Sequence, residues 1–450
     1  MLRTRWLLAA AVIFGMTASA AAQDCNVREM GAVGDGKTLN TQALQAAIDS
    51  CSAAGRRVVV AGGAFLTGNL TLRSNLHLHI EAGATLLGSG NPEDYDGGRL
   101  TRADEDGREQ PLVPLLSGVQ LANLTITGSG TIDGQGHLLW AARTYDRSYT
   151  GKLKPRSLPW FLIDGCTNLT IRDVTITRAP SFSLTLEQCV GGTIDGIKII
   201  NPFDSPNTDG IQLNDSASIR LTRCFISTGD DAVVIKARRR IVEHLIVSDC
   251  HIESDDAGVK FGTNSRSGVR DSLFQNLVIS RTRFGIALFM IDGGEHRDNR
   301  FHNIRIDSAT EHLRNYPIYI DIDKRRADST LGQINGLTLS DIDIRTKGSL
   351  LIGGQATAPI RDLTLRNVRV EVVDPQDLTT TGPKPRGNRN RQRQLGTEDF
   401  AEVNATATFA NIDGLRVDGL AIRGAAGGRQ PIHLHGVQDA AIGRLDLWAK

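Results

Sequence analysis

Aromatic residues are rare in this sequence, and charges of the two signs nearly cancel. Phe, Trp and Tyr together make up 5% of the 450 residues, and 51 Lys and Arg stand against 50 Asp and Glu. A chain so close to neutral offers no broad basic surface to nucleic acid or to an anionic membrane, so we expect neither as a partner. Glycine is abundant instead, with 47 residues, which is typical of chains with many tight turns.

Long apolar stretches occur only at the N-terminus. Arg3 and Arg5 precede an apolar core from Trp6 to Met16, and a run of small residues follows, which together indicate an export signal over residues 1–22. No later stretch approaches the roughly 20 apolar residues that span a bilayer. We therefore expect a soluble protein, secreted or periplasmic, that consists of residues 23–450.

The six cysteines all follow the export signal, and disulfides persist in the oxidising compartments to which it leads. Cys25 and Cys51 flank a segment in which Ala43, Ala47 and Ile48 have helical spacing, so we expect a short N-terminal helical cap that this pair can staple. The other four cysteines lie inside the repeat described next and are either small apolar fillers or further bridges. Their spacing fits no zinc motif, and we predict no metal site.

One pattern recurs along most of the chain: two apolar residues two positions apart, a polar gap, then two more at the same spacing. The last apolar residue of successive copies falls at steps of 23, 27, 26, 27 and 27 residues. Alternation with a period of two is typical of strands, and steps of this length suit one coil of a solenoid. The sequence therefore predicts an all-β fold, a right-handed parallel β-helix. The anchors are Ile176, Ile199, Ile226, Ile252, Ile279 and Ile306.

Two segments interrupt the repeat. Residues 138–160 form a polar and aromatic insertion, and residues 374–399 include a run of Pro, Gly, Asn, Gln and basic residues that contains no apolar side chain. The second segment cannot form core and is predicted to be a flexible basic loop, either a solvated excursion or a segment that holds an anionic substrate. Neither marks a domain boundary, so we expect residues 23–450 to form one elongated domain and the chain to be a monomer.

Three aspartates fall together at the start of a second strand in neighbouring coils. Aligning the strands that begin at Ile211 and Val233 puts Asp209 and Asp231 at equivalent positions, about 4.8 Å apart along the solenoid axis, with Asp230 beside them. Like charges this close raise at least one pKa, which keeps a carboxyl group protonated as a general acid. An Asp before Gly is also a common turn residue. Three acids in register favour glycoside hydrolysis, which needs one protonated and one ionised carboxyl group.

Two short motifs carry a resemblance to a known family. Residues 207–210 read Asn-Thr-Asp-Gly, and residues 229–231, one coil later, read Gly-Asp-Asp. Together with glycine-rich segments at residues 31–36 and 128–136, they resemble the polygalacturonase family, glycoside hydrolase family 28. The resemblance covers essentially the whole mature chain.

The resemblance implies an inverting glycoside hydrolase that acts on an acidic plant cell-wall polysaccharide of galacturonan or rhamnogalacturonan type. By this resemblance, Asp230 is the general acid that protonates the leaving oxygen, and Asp209 and Asp231 hold and deprotonate the attacking water. Asn207 helps to order the acids and borders the substrate. The resemblance implies neither a metal ion nor an organic cofactor.

The sequence departs from the family pattern at the positions with which the family binds its substrate. Asp256-Ala257-Gly258 stands where the family has Gly-His-Gly, and Ala287-Leu288-Phe289 stands where it has Arg-Ile-Lys. Lys260 and Lys236 are candidate replacements because a lysine ammonium group can pair with a carboxylate, and Tyr319 shares the outward column of Lys260. We therefore predict retained acid chemistry, with substrate binding rebuilt around these three residues.

Two other functions stay open at this point. A β-helix polysaccharide lyase would use a basic proton abstractor and usually calcium, which the acids could bind through their oxygen atoms. A non-catalytic carbohydrate-binding solenoid would need none of the three aspartates. The pairing of the two acid motifs favours the hydrolase.

Overall fold

The computed structural model describes residues 24–95, 100–103, 109–140, 142–143, 149–150, 159–312, 314–326, 328–376, 400, 403–424 and 428–448. The predicted export signal lies outside these residues, and so does most of the predicted flexible loop at 374–399. Among the described residues, no helix is long and apolar enough to cross a membrane. The single domain over residues 23–450 and the monomeric state stay predictions.

Short parallel strands make up most of the regular structure, and they pair with strands of the neighbouring coils. The predicted right-handed parallel β-helix is thereby confirmed. One of its sheets, the twelve-stranded sheet, carries the three aspartates at the start of its strands. Its strands are Leu70–Thr71, Leu116–Val119, Phe161–Asp164, Leu184–Glu187, Ile211–Asn214, Val233–Lys236, Ala257–Phe261, Phe284–Met290, Tyr316–Ile322, Leu350–Gly353, Ala405–Ala410 and Gln430–His435.

A second parallel sheet, of 27 strands, forms the remaining walls of the solenoid. Its strands are Cys25–Asn26, Asp35–Leu39, Arg57–Val60, Gly63–Thr67, His77–Ile80, Ala84–Gly88, Ala122–Thr127, Thr131–Asp133, Thr167–Arg172, Thr175–Thr177, Val190–Asp195, Lys198–Ile200, Ala217–Thr222, Phe225–Thr228, Val242–Glu243, Ile246–Ser248, His251–Ser254, Val269–Arg270, Leu273–Ser280, Glu295–Arg297, Arg300–Ser308, Gln333–Asn335, Thr338–Thr346, Ile360–Val372, Ile412–Arg423, Ala441–Ile442 and Leu445–Trp448. The short elements outside both sheets are the 3₁₀ turns Pro92–Asp94 and Gly136–Leu138 and two antiparallel hairpins, Leu100–Ala103 with Glu109–Leu112 and Ala142–Arg143 with Tyr149–Thr150.

Strand register stacks the interior side chains into columns. The six predicted isoleucine anchors pair one with the next, from Ile176 to Ile306, and all are fully buried. Burial of one such side chain stabilises the fold by about 1.5–3 kcal/mol. A one-residue slip between coils would turn a whole strand's apolar set outward, so this column fixes the register of every coil that it crosses.

The N-terminal cap is the helix Thr41–Ala53, which turns Leu44, Ile48 and Cys51 toward the core. Cys51 is bonded to Cys25, as the sequence predicted. The remaining cysteines are buried free thiols, so of the two alternatives left open the structure supports the apolar fillers. They are Cys166, Cys189, Cys224 and Cys250.

Replacing Cys51 by Ser should lower the stability of the protein, because the bond closes a loop with a sequence separation of 26 residues. Closing a loop of this size contributes about 2–4 kcal/mol, chiefly by restricting the unfolded chain. We expect a lower melting temperature for Cys51→Ser, and the same decrease for the double variant Cys25→Ser/Cys51→Ser, because each removes one and the same bond. An unchanged melting temperature would show that the cap does not depend on the disulfide.

Candidate active site

Strand pairing places Asp209 and Asp231 on neighbouring coils, as predicted. Each precedes its strand by two residues, and the strands pair with Ile211 opposite Val233. The Gly210 N–H donates a hydrogen bond to the backbone oxygen of Asp231 (2.9 Å), so the pairing extends back to the aspartates themselves. Asp209 and Asp231 are buried, with 5% and 6% of the residue surface exposed, and Asp230 is partly exposed beside them. These three residues are called the acid cluster below.

The two glycines in the acid motifs are required by close backbone packing. A Cβ atom at Gly210 would lie 2.5 Å from the backbone oxygen of Ala232, and one at Gly229 would lie 2.4 Å from that of Ser205. No side chain fits such a gap without moving the backbone. The glycines therefore let the turns before the two strands approach closely enough to bring the aspartates together.

Hydrogen bonds from buried hydroxyl groups connect these two turns. Thr208 and Ser205 share a hydrogen bond between their side-chain oxygens (2.6 Å), and the Gly229 N–H donates to Thr208 Oγ1 (3.2 Å). Thr228 Oγ1 in turn donates to the backbone oxygen of Thr208. The turns that carry Asp209 and Asp230 are thus tied to each other through side chains, and the acids sit on fixed backbone.

Each aspartate of the acid cluster has its own hydrogen-bond donor. Gln212 Nε2 donates to Asp209 Oδ2 (2.7 Å), the Asp231 N–H donates to Asp230 Oδ1 (3.0 Å), and Lys260 Nζ lies 2.6 Å from Asp231 Oδ2. The second oxygen of Asp231, Oδ1, is buried and has no hydrogen-bond partner among the described residues. A buried oxygen that lacks a donor costs free energy unless a proton, a water molecule or a ligand satisfies it.

Burial and mutual repulsion raise the pKa of two of these carboxyl groups. For Asp209, burial is the main cause and Asp230 adds to it, so the pKa rises to about 7 although Lys236, Gln212 and Lys260 oppose the change. For Asp231, burial again raises the pKa well above its usual value, Lys260 opposes the rise, and Asp256 adds to it. The ionised form of each group is therefore less stable than that of a surface aspartate and accepts a proton more readily, as suits a general base.

The structure brings both predicted lysines to the acid cluster. Lys260 faces outward in one column with Ala287 and Tyr319, as predicted, and its ammonium group bridges to Asp231 and lies 3.9 Å from Asp256. Lys236 lies over the ring of Phe182, with 5.5 Å from Nζ to the ring centroid, and its charge lowers the pKa of Asp209. Both lysines thus place positive charge against the acids, whereas any contact with a substrate stays a prediction.

Sequence reasoning missed three residues of the site: Gln212, Asp256 and Arg283. Asp256 contributes a fourth carboxylate, and Arg283 is buried with Nη1 3.8 Å from Asp256 Oδ1. In the sequence, Asp256 is evident only as a departure from the family pattern. The available signal was its position four residues before Lys260, because that spacing and the outward column of Lys260 both direct the pair toward the acids.

The prediction for Tyr319 needs correction. The residue is 2% exposed, and its hydroxyl donates to Asp321 Oδ2 (3.0 Å). It packs in a second buried group on the outer face of the twelve-stranded sheet, here called the apolar cluster, so in this structure it supports the floor of the site and offers no free surface to a substrate. The residues of the apolar cluster are Ala257, Phe284, Ala287, Phe289, Ile291, Tyr316, Tyr319 and Leu351.

Carboxylate oxygens of Asp230, Asp231 and Asp256 approach within 4.8 Å of one another, a spacing that would admit a metal ion. The ammonium group of Lys260 already lies against two of these carboxylates. The positive charge that a metal ion would bring is therefore supplied by the chain itself, and we assign no metal to the group.

Neutralising Asp209 should stabilise the protein, and increasingly so as the pH rises. Because the pKa is about 7 in the folded protein against 3.8 for an ordinary aspartate, the folded state loses stability as the pH rises from the lower value through the higher one. Asp209→Asn removes this loss, so we expect its melting temperature to exceed that of the parent near neutral pH, by the equivalent of roughly a few kcal/mol, and to approach it below about pH 4. The exposed Asp204→Asn variant is the control. A difference that does not vary with pH would contradict the burial of an ionisable Asp209.

Comparison with known proteins agrees with the fold and with the acid motifs. The sequence model described as "Glycosyl hydrolases family 28" matches residues 52–383. A probable polygalacturonase of Vitis vinifera is 29% identical over 292 residues, which are 60% of this chain and 57% of that protein. An endo-polygalacturonase of Pectobacterium carotovorum subsp. carotovorum is 26% identical over 344 residues, 73% of this chain and 84% of that protein.

The family 28 exopolygalacturonase of Yersinia enterocolitica superposes with a TM-score of 0.70 at 21% identity, over 94% of this chain and 79% of that one. At this identity the superposition shows a shared fold. The family match covers more than half of the chain and includes both acid motifs. The chain therefore belongs to glycosyl hydrolases family 28 and is a glycosidase.

Proposed function

We propose that this glycosidase cleaves pectic polysaccharide or oligosaccharide, of galacturonan or rhamnogalacturonan type, with inversion of configuration. The observation that carries the proposal is the acid cluster itself, in which strand register brings three aspartates together and buries two of them. Glycoside hydrolysis by inversion needs an acid on one side of the scissile bond and a base that activates water on the other. The acid cluster contains enough carboxyl groups for both roles.

In the proposed reaction Asp230 protonates the glycosidic oxygen as its bond to the anomeric carbon breaks. Asp209 and Asp231 take a proton from a water molecule whose oxygen attacks the opposite face of that carbon. Asp230 is the more accessible acid, which suits contact with the leaving group.

Several residues around the acid cluster support an acidic substrate. Lys236 and Lys260 place positive charge beside the acids. Asn207 is two residues before Asp209, in a left-handed turn position (φ 52°), and is proposed to border the substrate. The relatives reported above are polygalacturonases by name. We extend this to the present chain as a uronate-containing plant cell-wall substrate, encountered after export through the N-terminal signal.

Nothing in the described residues favours either alternative function, the lyase or the binding solenoid. A lyase would need a basic proton abstractor, but the lysine nearest the acid cluster is paired with Asp231. A purely binding solenoid leaves unexplained why carboxyl groups are buried next to one another at a cost in stability.

A panel of pectic substrates, with the anomer of the first product followed by NMR, tests the proposal. We expect hydrolysis with inversion, and a decrease of roughly 10²–10⁴-fold in kcat/KM for Asp230→Asn, because the leaving oxygen then lacks its proton donor. Asp204→Asn is the matched control, since Asp204 is an exposed aspartate of the same segment between strands as Asp209, and it should keep the parental rate.

Three results would contradict this function. Retention of configuration would rule out direct attack by water. An unsaturated product that absorbs in the ultraviolet would indicate a lyase. Parental activity in Asp230→Asn would remove the residue from the chemistry.

A further inference from the structure

The backbone of Asp256 is hydrogen-bonded on both sides, toward the acid cluster and toward the coil that contains Phe284. Its N–H donates to Ser254 Oγ (3.0 Å), and the same hydroxyl donates to the backbone oxygen of Asp230 (2.7 Å). The Phe284 N–H donates to the backbone oxygen of Asp256 (2.8 Å). Ser254 therefore ties the backbone of Asp256 to that of the proposed acid.

The Asp256 side chain lies between two cations. Arg283 Nη1 is 3.8 Å from Oδ1, and Lys260 Nζ is 3.9 Å from Oδ2. Arg283 is itself held in place, because its guanidinium group stacks on the ring of Phe284 at 4.8 Å and its Nε donates to the backbone oxygen of Arg314 (3.4 Å). The order of contacts is thus Arg283, Asp256, Lys260 and then Asp231.

We propose that Asp256 is a positioning residue of the hydrolytic site: it fixes the Lys260 ammonium group and, through it, the Asp231 carboxylate. A lysine side chain has many rotamers, and ordering it is costly unless more than one partner restrains it. Asp231 alone would hold one end of a flexible pair. Asp256 and the face of the Phe289 ring, 5.3 Å from Lys260 Nζ, restrain the ammonium group from other directions. This inference rests on the proposed function.

Charge alone predicts opposite effects on the pKa of Asp231 for substitution of Lys260 and of Asp256. Asp209 faces it from the preceding coil, Asp230 lies beside it, and Asp256 and Lys260 face it from the following coil. Lys260 lowers the pKa of Asp231, whereas Asp256 raises it. Farther charges are Lys236, which acts on Asp209, and Arg283, which faces Asp256.

The test is the pH dependence of kcat/KM for Lys260→Met and Asp256→Asn. Since the base must be ionised, we expect the midpoint of the acidic limb to move up in Lys260→Met by about one pH unit or more. In Asp256→Asn it should also move up, by less, because a Lys260 ammonium group that is held less firmly lowers the pKa of Asp231 less, whereas loss of the Asp256 charge alone would move it down. In Asp256→Asn, kcat at the optimum should also fall about tenfold, because Lys260 is then held less firmly. Lys260→Arg keeps the charge and should restore the parental midpoint.

The neighbouring Asp255 supplies the control, because its carboxylate pairs with His312 (3.1 Å) and Asp255→Asn should leave the midpoint unchanged. If the parent hydrolyses no pectic substrate, the proposed function fails. The positioning role is then decided by melting temperature between about pH 5 and about pH 8. Lys260→Met should lose more stability than the parent over this range, and Asp256→Asn should do so to a smaller extent. Opposite shifts in the two variants, as charge alone predicts, or no shift in either, would overturn the inference.

Discussion

Hydrogen bonding between successive parallel coils is the constraint on which the rest of this structure depends. It stacks the isoleucine anchors in the interior, and the same register, carried around the coil, sets Asp209 against Asp231. A shift of one residue between these coils would separate the aspartates and turn apolar side chains outward at the same time. The solenoid thus fixes its core and its acid cluster by one and the same means.

Burial of the acid cluster lowers the stability of the fold, and the surrounding residues limit that decrease. Asp209 and Asp231 are buried next to other carboxylates, which raises the pKa of each. Burial alone would lower the pKa of Lys260, but the nearby aspartates raise it above its usual value, so the ammonium charge persists inside the site. Buried groups of this kind, in which opposite charges stabilise one another, are characteristic of functional sites.

The sequence was sufficient to predict the elements that depend on periodicity. The coil step, the helical cap with its disulfide, the pairing of Asp209 with Asp231 and the outward column of Lys260 all follow from alternation and spacing. It was insufficient for contacts that depend on rotamers and on depth below the surface. Gln212 and Arg283 meet the aspartates only because particular side-chain conformations bring them there, and Tyr319 lies in an outward column that neighbouring aromatic rings then bury. Alternation predicts which way a side chain points, but not what covers it.

The central claim is that a glycosidic bond is cleaved at the acid cluster, with Asp230 on one side and water held by Asp209 and Asp231 on the other. A crystal structure of Asp230→Asn with an uncleaved pectic oligosaccharide measures this directly. We expect the glycosidic oxygen within hydrogen-bonding distance of residue 230, and a water molecule bound by Asp209 and Asp231 on the opposite face of the sugar ring. An oligosaccharide bound away from these residues, or one that leaves no room for that water, would contradict it.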